Sequence, residues 1–270
     1  MAAASHDALA AELIDLHESP REVAPFSERF PGLTPESGYR AARHLHAHRL
    51  AQGWRVRGRK IGFTNRELWP RYGVFEPMWG WVYEQTLVLA LDGHARVPLA
   101  GLTQPRIEPE IAFKLRAAPA RTNDPAALVE SIECVLHTVE IVQCHHPKWK
   151  LTIADCCADN GLHGRLVLGT AVNIGEIRDP LRSLAGAEVT LKKAGVEIDR
   201  GRGANVLGNP LAALAHLIEV LSRQPGASPL EAGEIVSTGV LTDAHPVRPG
   251  ETWSTSFTGL PLPGLTLQFT

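Results

Sequence analysis

The sequence predicts a mixed α+β fold built on curved, mostly antiparallel β-sheets, with a helical region at its N-terminus. Helical periodicity dominates the first part of the 270-residue chain. From residue 56 onward, short β-like runs separated by turn residues replace it, and they do not alternate regularly with helices. We therefore expect a helical region over residues 1–54 and one larger domain over residues 55–270.

Two helices are predicted in the N-terminal region. Residues 5–17 place four apolar side chains at helical spacing: Leu9, Leu13, Ile14 and Leu16. A second helix is expected to begin after Thr34, with Pro35 in its first turn, and to continue to about Gln52.

The remainder of the chain reads mainly as strands. The runs include "VRGRKIGF", "WVYEQTLVLAL", "RIEPEIAFKL", "CVLHTVEIV", "GRLVLGTAV", "EVTLKKAGVEI", "EIVSTGVL" and "LTLQF". One further helix is predicted after Asn209 and Pro210, with an apolar face formed by Leu211, Leu214, Leu217, Ile218 and Leu221.

Composition favours small-molecule chemistry. Lys+Arg number 27 against Asp+Glu 29, so there is no basic field for nucleic acid and no polybasic patch for a membrane surface. No apolar run is long enough to span a bilayer, and the N-terminus lacks the pattern of a signal peptide. We expect a cytoplasmic protein that acts on a small molecule. The four cysteines lack the spacing of a zinc site or a disulfide framework and are expected to be reduced and buried.

The segment "RIEPEIAF" places two glutamates in an otherwise core-like strand. Alternation along a strand puts Arg106, Glu108 and Glu110 on one face and the apolar residues on the other. The two carboxylates repel each other unless a cation lies between them. The alternative is an exposed strand face on which they pair with Arg106 and nearby lysines.

A third carboxylate, Glu140, lies among Val139, Ile141 and Val142, where an unpaired charge is rarely tolerated. Three oxygen donors without cysteine favour Mg²⁺ or Mn²⁺ over Zn²⁺. Spacing by itself does not decide between a metal site and a solvated strand.

Several separated motifs resemble the 2-keto-4-pentenoate hydratase / 4-oxalocrotonate decarboxylase branch of the fumarylacetoacetate hydrolase superfamily. In order they are "GRKIGFT", "RIEPEIAFKL", "TVEIV", "ADNGLHGRLVLG", "VLGNPLAALAHL" and "LEAGEIVSTGVLTDAHPVRPGETW". The resemblance implies a fumarylacetoacetate hydrolase-like fold, with residues 55–270 as the catalytic domain, and a homo-oligomer. It also implies that Glu108, Glu110 and Glu140 bind Mg²⁺ or Mn²⁺. The catalytic lysine falls on Lys60, whose pKa we expect burial to lower toward a proton-transfer role.

The sequence departs from this family around the substrate. Met78 stands where the family commonly has an acid, and "GLH" at residues 161–163 replaces the serine-bearing end of an "ADNAS" segment. Met78 and Trp79 form either an apolar wall of the site or part of the core. The candidate substrate-binding residues are Arg106, Met78, Trp79, His163 and Thr242.

The resemblance implies a metal-dependent lyase that hydrates a 2-hydroxy-dienoate, the enol form of a 2-keto-alkenoate, in the catabolism of aromatic compounds. Decarboxylation of a 2-keto-dioate is the alternative, because it needs the same chelation and the same electron sink. A carbon–carbon bond hydrolase is less favoured, since no histidine occurs between His48 and His94 near the lysine motif. A non-catalytic ligand-binding relative is the remaining alternative.

Overall fold

The computed structural model describes residues 2–122 and 124–270. The helices in these ranges are Ala2–Glu18 (α1), Phe26–Arg29 (α2), Pro35–Ala51 (α3), Trp69–Tyr72 (α4), Ile153–Ala158 (α5), Pro180–Gly186 (α6) and Pro210–Arg223 (α7). The strands are Val56–Gly62 (β1), Met78–Tyr83 (β2), Leu87–Leu89 (β3), His94–Val97 (β4), Arg106–Leu115 (β5), Ile132–Val142 (β6), His163–Asn173 (β7), Glu188–Lys193 (β8), Val196–Arg202 (β9), Ile235–Val240 (β10), His245–Pro246 (β11), Thr252–Thr258 (β12) and Thr266–Phe269 (β13).

Across the two described ranges the strands form two sheets. The larger has the order β2-β1-β10-β5-β6-β7-β3, with β11 also paired to β5, and the smaller has the order β4-β13-β12-β8-β9. Most pairs are antiparallel, and the parallel ones are β1 with β10, β3 with β7 and β4 with β13. The predicted mixed, mostly antiparallel α+β architecture is confirmed. Strands β10, β5 and β6 are adjacent in the larger sheet, and this adjacency positions the candidate site.

The predicted starts of α3 and α7 are confirmed by their N-caps. The Thr34 side chain accepts a hydrogen bond from the backbone N–H of Ser37, and Pro35 occupies the first turn of α3. Asn209 caps α7 in the same way, and the predicted apolar face of that helix is buried. Sequence patterns did not indicate the short helices α5 and α6, because each spans fewer than two full turns of periodicity.

The N-terminal helices pack on the body of the protein through a small core and a buried polar chain. Leu9, Leu13 and Leu16 of α1 cluster with Phe26 and with Ala158 of α5. The polar chain runs from Arg49 to the Nδ1 atom of His17 (2.9 Å), from His17 Nε2 to Asp159 (2.8 Å), and from Asp159 to His145 Nδ1 (2.7 Å). The domain division at residue 54 stays a prediction.

Two further predictions concern cysteines and membranes. The four cysteines are free and buried, as expected. Among the helices of the described ranges, none has the length and hydropathy needed to cross a bilayer. The cytoplasmic location stays a prediction.

Candidate metal centre and active site

Strand register brings the three predicted carboxylates together. In the antiparallel pair β5–β6, Glu108 lies directly opposite Glu140, and Glu110 lies opposite Thr138, two residues further along. Residues that face each other across a pair, and residues two apart on one strand, share a face. One oxygen from each of the three carboxylates lies within 4.8 Å of the others. The three carboxylates therefore converge on one point of the larger sheet.

Glu110 is held in place by the neighbouring strand β10. Its Oε2 atom accepts hydrogen bonds from the Ser237 hydroxyl (2.5 Å) and from the backbone N–H of Gly239 (3.1 Å). Gly239 has φ +110°, and a Cβ at this position would lie 1.9 Å from Thr64 Oγ1, so only glycine fits here. Within the described residues, Glu110 Oε1 is buried without a hydrogen-bond partner. A bound cation would satisfy this oxygen.

Lys60 projects from β1 into the same cluster. Its Nζ atom donates to the backbone carbonyl of Gly161 (2.9 Å) and lies 3.1 Å from Glu140 Oε2. Its side chain is only 2% exposed. Gly161 has φ +64°, and a Cβ there would lie 3.1 Å from the backbone nitrogen of Gly80 and 3.2 Å from Lys60 itself. A side chain at this position would crowd both neighbours, and the positive φ is one that glycine adopts without strain.

Burial and mutual repulsion control ionisation in the cluster. Burial raises the pKa of Glu108 to about 7 and, together with the charges of Glu140 and Glu108, raises the pKa of Glu110 well above its usual value. The pKa of Glu140 is lowered, because Lys60 and His163 outweigh the effect of burial.

The expectation that the pKa of Lys60 is lowered is wrong when only the protein's own groups act on it. Burial lowers the pKa of Lys60, but the charges of Glu140, Glu108 and Glu110 outweigh it, and the net pKa is raised. The sequence showed the apolar neighbours of this lysine but not the carboxylates that surround its ammonium. A divalent cation among the carboxylates would oppose their effect and shift the pKa of Lys60 downward.

A pocket opens beside this cluster. Lys60, Glu108 and Asp243 supply its charged groups. Most of the remaining wall is apolar and includes Phe63, Met78, Trp149, Leu151, Leu162 and Val240. The pocket thus has a charged end next to the three carboxylates and an apolar wall, which suits a molecule with an acidic head and a neutral tail.

Trp149 was missed by sequence reasoning, and a loop fixes it in this wall. Its indole N–H donates to the backbone carbonyl of Gln104 (3.2 Å), and the guanidinium of Arg106 lies 4.2 Å from its ring centroid. The side-chain amide of Gln104 also binds the carbonyl of His146 (2.8 Å) and the N–H of Lys148 (3.1 Å). Lys148 and Trp149 both have positive φ, which is uncommon for residues other than glycine and often marks a functional segment. The only sequence signal was an aromatic residue in a loop.

The structure brings some of the predicted substrate-binding residues to the pocket and not others. Met78 lies in the wall. Trp79, its neighbour on β2, stacks on Tyr39 and donates its indole N–H to Gln224, because adjacent residues of a strand point to opposite faces. Among the described residues, the lining does not include Trp79, Arg106, Thr242 or His163.

His163 and Thr242 instead contact protein atoms. The Nδ1 atom of His163 lies 2.7 Å from Glu140 Oε1, and its Nε2 atom lies 2.8 Å from the hydroxyl of Thr86. Thr242 is buried, and its hydroxyl donates to the backbone carbonyl of Asp243. His163 is therefore connected to the site through Glu140, and Thr242 through Asp243.

The donor set fits a hard divalent cation. Mg²⁺, Mn²⁺ and Ca²⁺ prefer oxygen ligands, and all three converging groups are carboxylates. The buried, unpaired oxygen of Glu110 and the raised pKa values of Glu108 and Glu110 both indicate negative charge that lacks a sufficient counterion.

Curated relatives match the chain over nearly its whole length, although no protein-family model matches it. It is 32% identical over 253 residues to a 2-keto-4-pentenoate hydratase of Burkholderia vietnamiensis, covering 93% of each chain. It is also 32% identical to a 2-hydroxyhexa-2,4-dienoate hydratase of Comamonas testosteroni, covering 92% of each. Among solved structures, a 4-oxalocrotonate decarboxylase from Pseudomonas putida G7, complexed with magnesium and adipate, superimposes with a TM-score of 0.87 at 26% identity, covering 97% of this chain and 96% of that one.

Proposed function

Because the chain belongs to the 2-keto-4-pentenoate hydratase / 4-oxalocrotonate decarboxylase branch of the fumarylacetoacetate hydrolase superfamily, we propose that it is a divalent-metal-dependent hydro-lyase. Its substrate is a 2-hydroxy-dienoate, the enol form of a 2-keto-alkenoate, from the catabolism of aromatic compounds. The observation that carries this proposal is the convergence of Glu108, Glu110 and Glu140 beside Lys60, at the charged end of an otherwise largely apolar pocket.

The three carboxylates are the proposed ligands of Mg²⁺ or Mn²⁺. When bound, such an ion supplies Lewis-acid stabilisation of negative charge on the 2-oxo oxygen. Lys60 is the proposed catalytic residue, because it lines the pocket and its Nζ atom lies 3.1 Å from Glu140 Oε2. From this position it can hold the substrate carboxylate or move a proton to or from the dienolate.

The apolar wall favours a substrate with a neutral tail. The second carboxylate of a 2-keto-dioate would lose its hydration against Met78, Phe63 and Trp149, and it would be repelled by Asp243 in the same lining. Decarboxylation of such a dioate is the second candidate. The similarity to the magnesium- and adipate-bound decarboxylase supports it, and Arg106, whose guanidinium lies 4.2 Å from the ring centroid of Trp149, is a cation near the pocket wall.

A substrate comparison tests this proposal. The value of kcat/KM is measured for a methyl-tailed 2-hydroxy-dienoate and for 4-oxalocrotonate, with Mg²⁺ or Mn²⁺, from the loss of conjugated absorbance and the identity of the products. We expect the wild type to prefer hydration of the neutral-tailed substrate. Met78→Asp should reduce that preference, whereas Met78→Leu, the matched apolar control, should retain it.

Two results would contradict this reading. Preference of the wild type for the dioate would favour the decarboxylase. If no compound of either class is turned over in the presence of metal, the chain is a non-catalytic ligand-binding relative.

The homo-oligomer also stays a proposal. Leu89 and Leu91 are 65% and 74% exposed at and just beyond β3, which ends the strand order of the larger sheet within the described residues. Exposed leucines beside such a strand suit a contact between copies of the chain. Light scattering coupled to gel filtration would test it, and a monomeric mass would contradict it.

A further inference from the structure

The surroundings of His163 point to a role that differs from substrate binding. Both of its ring nitrogens lie within hydrogen-bond distance of protein atoms, Nδ1 at 2.7 Å from Glu140 Oε1 and Nε2 at 2.8 Å from Thr86 Oγ1. The side chains of His163 and Glu140 are both 0% exposed. With both nitrogens engaged, His163 has no ring donor or acceptor left for a ligand in the pocket.

The direction of the hydrogen bonds follows from the partners. Glu140 carries a carboxylate that can only accept, so Nδ1 of His163 must donate to it. In the neutral imidazole, Nε2 is then an acceptor, and the Thr86 hydroxyl lies 2.8 Å from it. Thr86 lies in the short helical turn that follows β2, where its hydroxyl is also 2.8 Å from the carbonyl of Tyr83. Because a hydroxyl carries one proton, Thr86 donates to either Nε2 of His163 or the carbonyl of Tyr83 at any one time.

This chain of contacts fixes how Glu140 presents its oxygens. Oε1 lies 2.7 Å from His163 and Oε2 lies 3.1 Å from Lys60, and one oxygen of Glu140 lies within 4.8 Å of an oxygen of Glu108 and of Glu110. Without the histidine, Lys60 would be the remaining ion-pair partner of Glu140 among the described residues, and the last torsion of Glu140 would be less restrained. Groups that orient a metal-binding side chain from behind typically change metal affinity by about 10- to 100-fold.

We propose that His163, supported by Thr86, is a positioning residue that holds Glu140 with one oxygen turned toward the divalent cation. This inference rests on the proposed metal site, and it assigns His163 a role in metal affinity instead of substrate binding.

The test measures metal binding in the absence of substrate. Isothermal titration of the metal-free protein with MnCl₂ gives the Kd for wild type, His163→Leu, His163→Asn and Thr86→Val. We expect His163→Leu to weaken binding about 10- to 100-fold. His163→Asn should recover most of the affinity, because its amide can donate from about the position of Nδ1, and Thr86→Val should show a smaller loss than His163→Leu.

His137→Leu is the matched control. His137 is also fully buried on the larger sheet and is also engaged at both nitrogens, but its partners are the backbone carbonyl of Glu110 and the hydroxyl of Thr255. Its loss should lower thermal stability with little change in the Kd for Mn²⁺. If it weakens binding as much as His163→Leu, the effect is a general loosening of the sheet and the inference fails.

Kinetics at saturating metal separate the two roles of His163. A positioning role predicts a lower kcat with a nearly unchanged KM in His163→Leu and values closer to wild type in His163→Asn, whereas a substrate contact predicts a raised KM and an unchanged Kd for Mn²⁺ in His163→Leu. If His163→Leu does not fold, Thr86→Val decides by the same readouts. Wild-type protein that binds Mn²⁺ but turns over no dienoate would refute the proposed function and leave this inference standing. Unchanged Mn²⁺ affinity in His163→Leu, or in Thr86→Val if His163→Leu does not fold, would overturn the inference and leave the function standing.

Discussion

Replacing Lys60 by methionine should destabilise the metal-free protein and should do so much less when a divalent cation is bound. The Nζ atom lies 3.1 Å from Glu140 Oε2, and both side chains are almost fully buried. At an effective dielectric constant of 20, a pair at this distance is worth roughly 5 kcal/mol. Removing one member of a buried pair typically costs about 3–5 kcal/mol, because the remaining charge is left unpaired.

The cation dependence follows from the three carboxylates. In the metal-free variant, Glu108, Glu110 and Glu140 would face one another without the Lys60 ammonium, whose pKa their charges raise. With Mg²⁺ bound, the ion itself would balance the carboxylates. The free energy of unfolding should therefore fall by about 3–5 kcal/mol in EDTA and clearly less at saturating Mg²⁺.

The assay is urea and thermal unfolding of wild type and Lys60→Met, each in EDTA and in MgCl₂. For a chain of this size, a loss of that magnitude corresponds to a Tm lower by roughly 6–20 °C. Lys114→Met is the matched control, because Lys114 pairs with Glu133 at 2.9 Å but both side chains are about 40% exposed (39% and 44%). Its loss should stay below about 1 kcal/mol in both buffers.

Two results would refute this reasoning. If Lys60→Met is no less stable than Lys114→Met in EDTA, the ammonium does not balance the carboxylates. If the loss is the same in EDTA and in saturating Mg²⁺, the three carboxylates do not share a cation at this position. Lowering the pH should also shrink the loss in EDTA, because a protonated carboxyl needs no counterion.

Three further predictions concern pH, the pocket wall and the support of Glu110. The side chain of His17 is 6% exposed and His137 is fully buried, and burial lowers the pKa of each to about 4. The unfolded chain, with a histidine pKa of about 6.5, binds protons first, so stability should fall between pH 6.5 and 4 by up to roughly 3 kcal/mol per histidine. The urea midpoint should depend less steeply on pH across this range in His137→Gln than in wild type. An unchanged pH dependence would contradict the assignment. Trp149→Ala should raise KM for the neutral-tailed substrate about 10-fold, the equivalent of 1.4 kcal/mol. Trp149→Phe should stay near wild type. If both variants change kcat equally and leave KM unchanged, the Trp149 ring does not contact the substrate. Ser237→Ala should weaken Mn²⁺ binding by about 10-fold or more, because it removes a hydrogen bond to the charged form of Glu110; calorimetry that shows an unchanged Kd would exclude this support.

The sequence by itself determined the elements whose causes are local. Thr34 with Pro35, and Asn209 with Pro210, start their helices through contacts within one turn, so short-range pattern was sufficient to place them. The alternation that puts Glu108 and Glu110 on one face of β5 is likewise a property of a single strand. Resemblance to a known family then supplied the expectation that Glu140 joins them.

Only the tertiary structure decided how these elements meet. The register that sets Glu108 against Glu140 depends on hydrogen bonds between strands that are about thirty residues apart in sequence, and a shift by one residue would turn Glu140 to the opposite face. Met78 lies in the pocket wall and Trp79 does not, because only one face of β2 is turned toward the pocket. The hydrogen bond from the Trp149 indole to the carbonyl of Gln104 holds that ring in the wall. His163 lies against Glu140 because β7 pairs with β6 in the larger sheet. Each of these contacts joins segments distant in sequence, so the packing of the whole chain fixes it and no local pattern can.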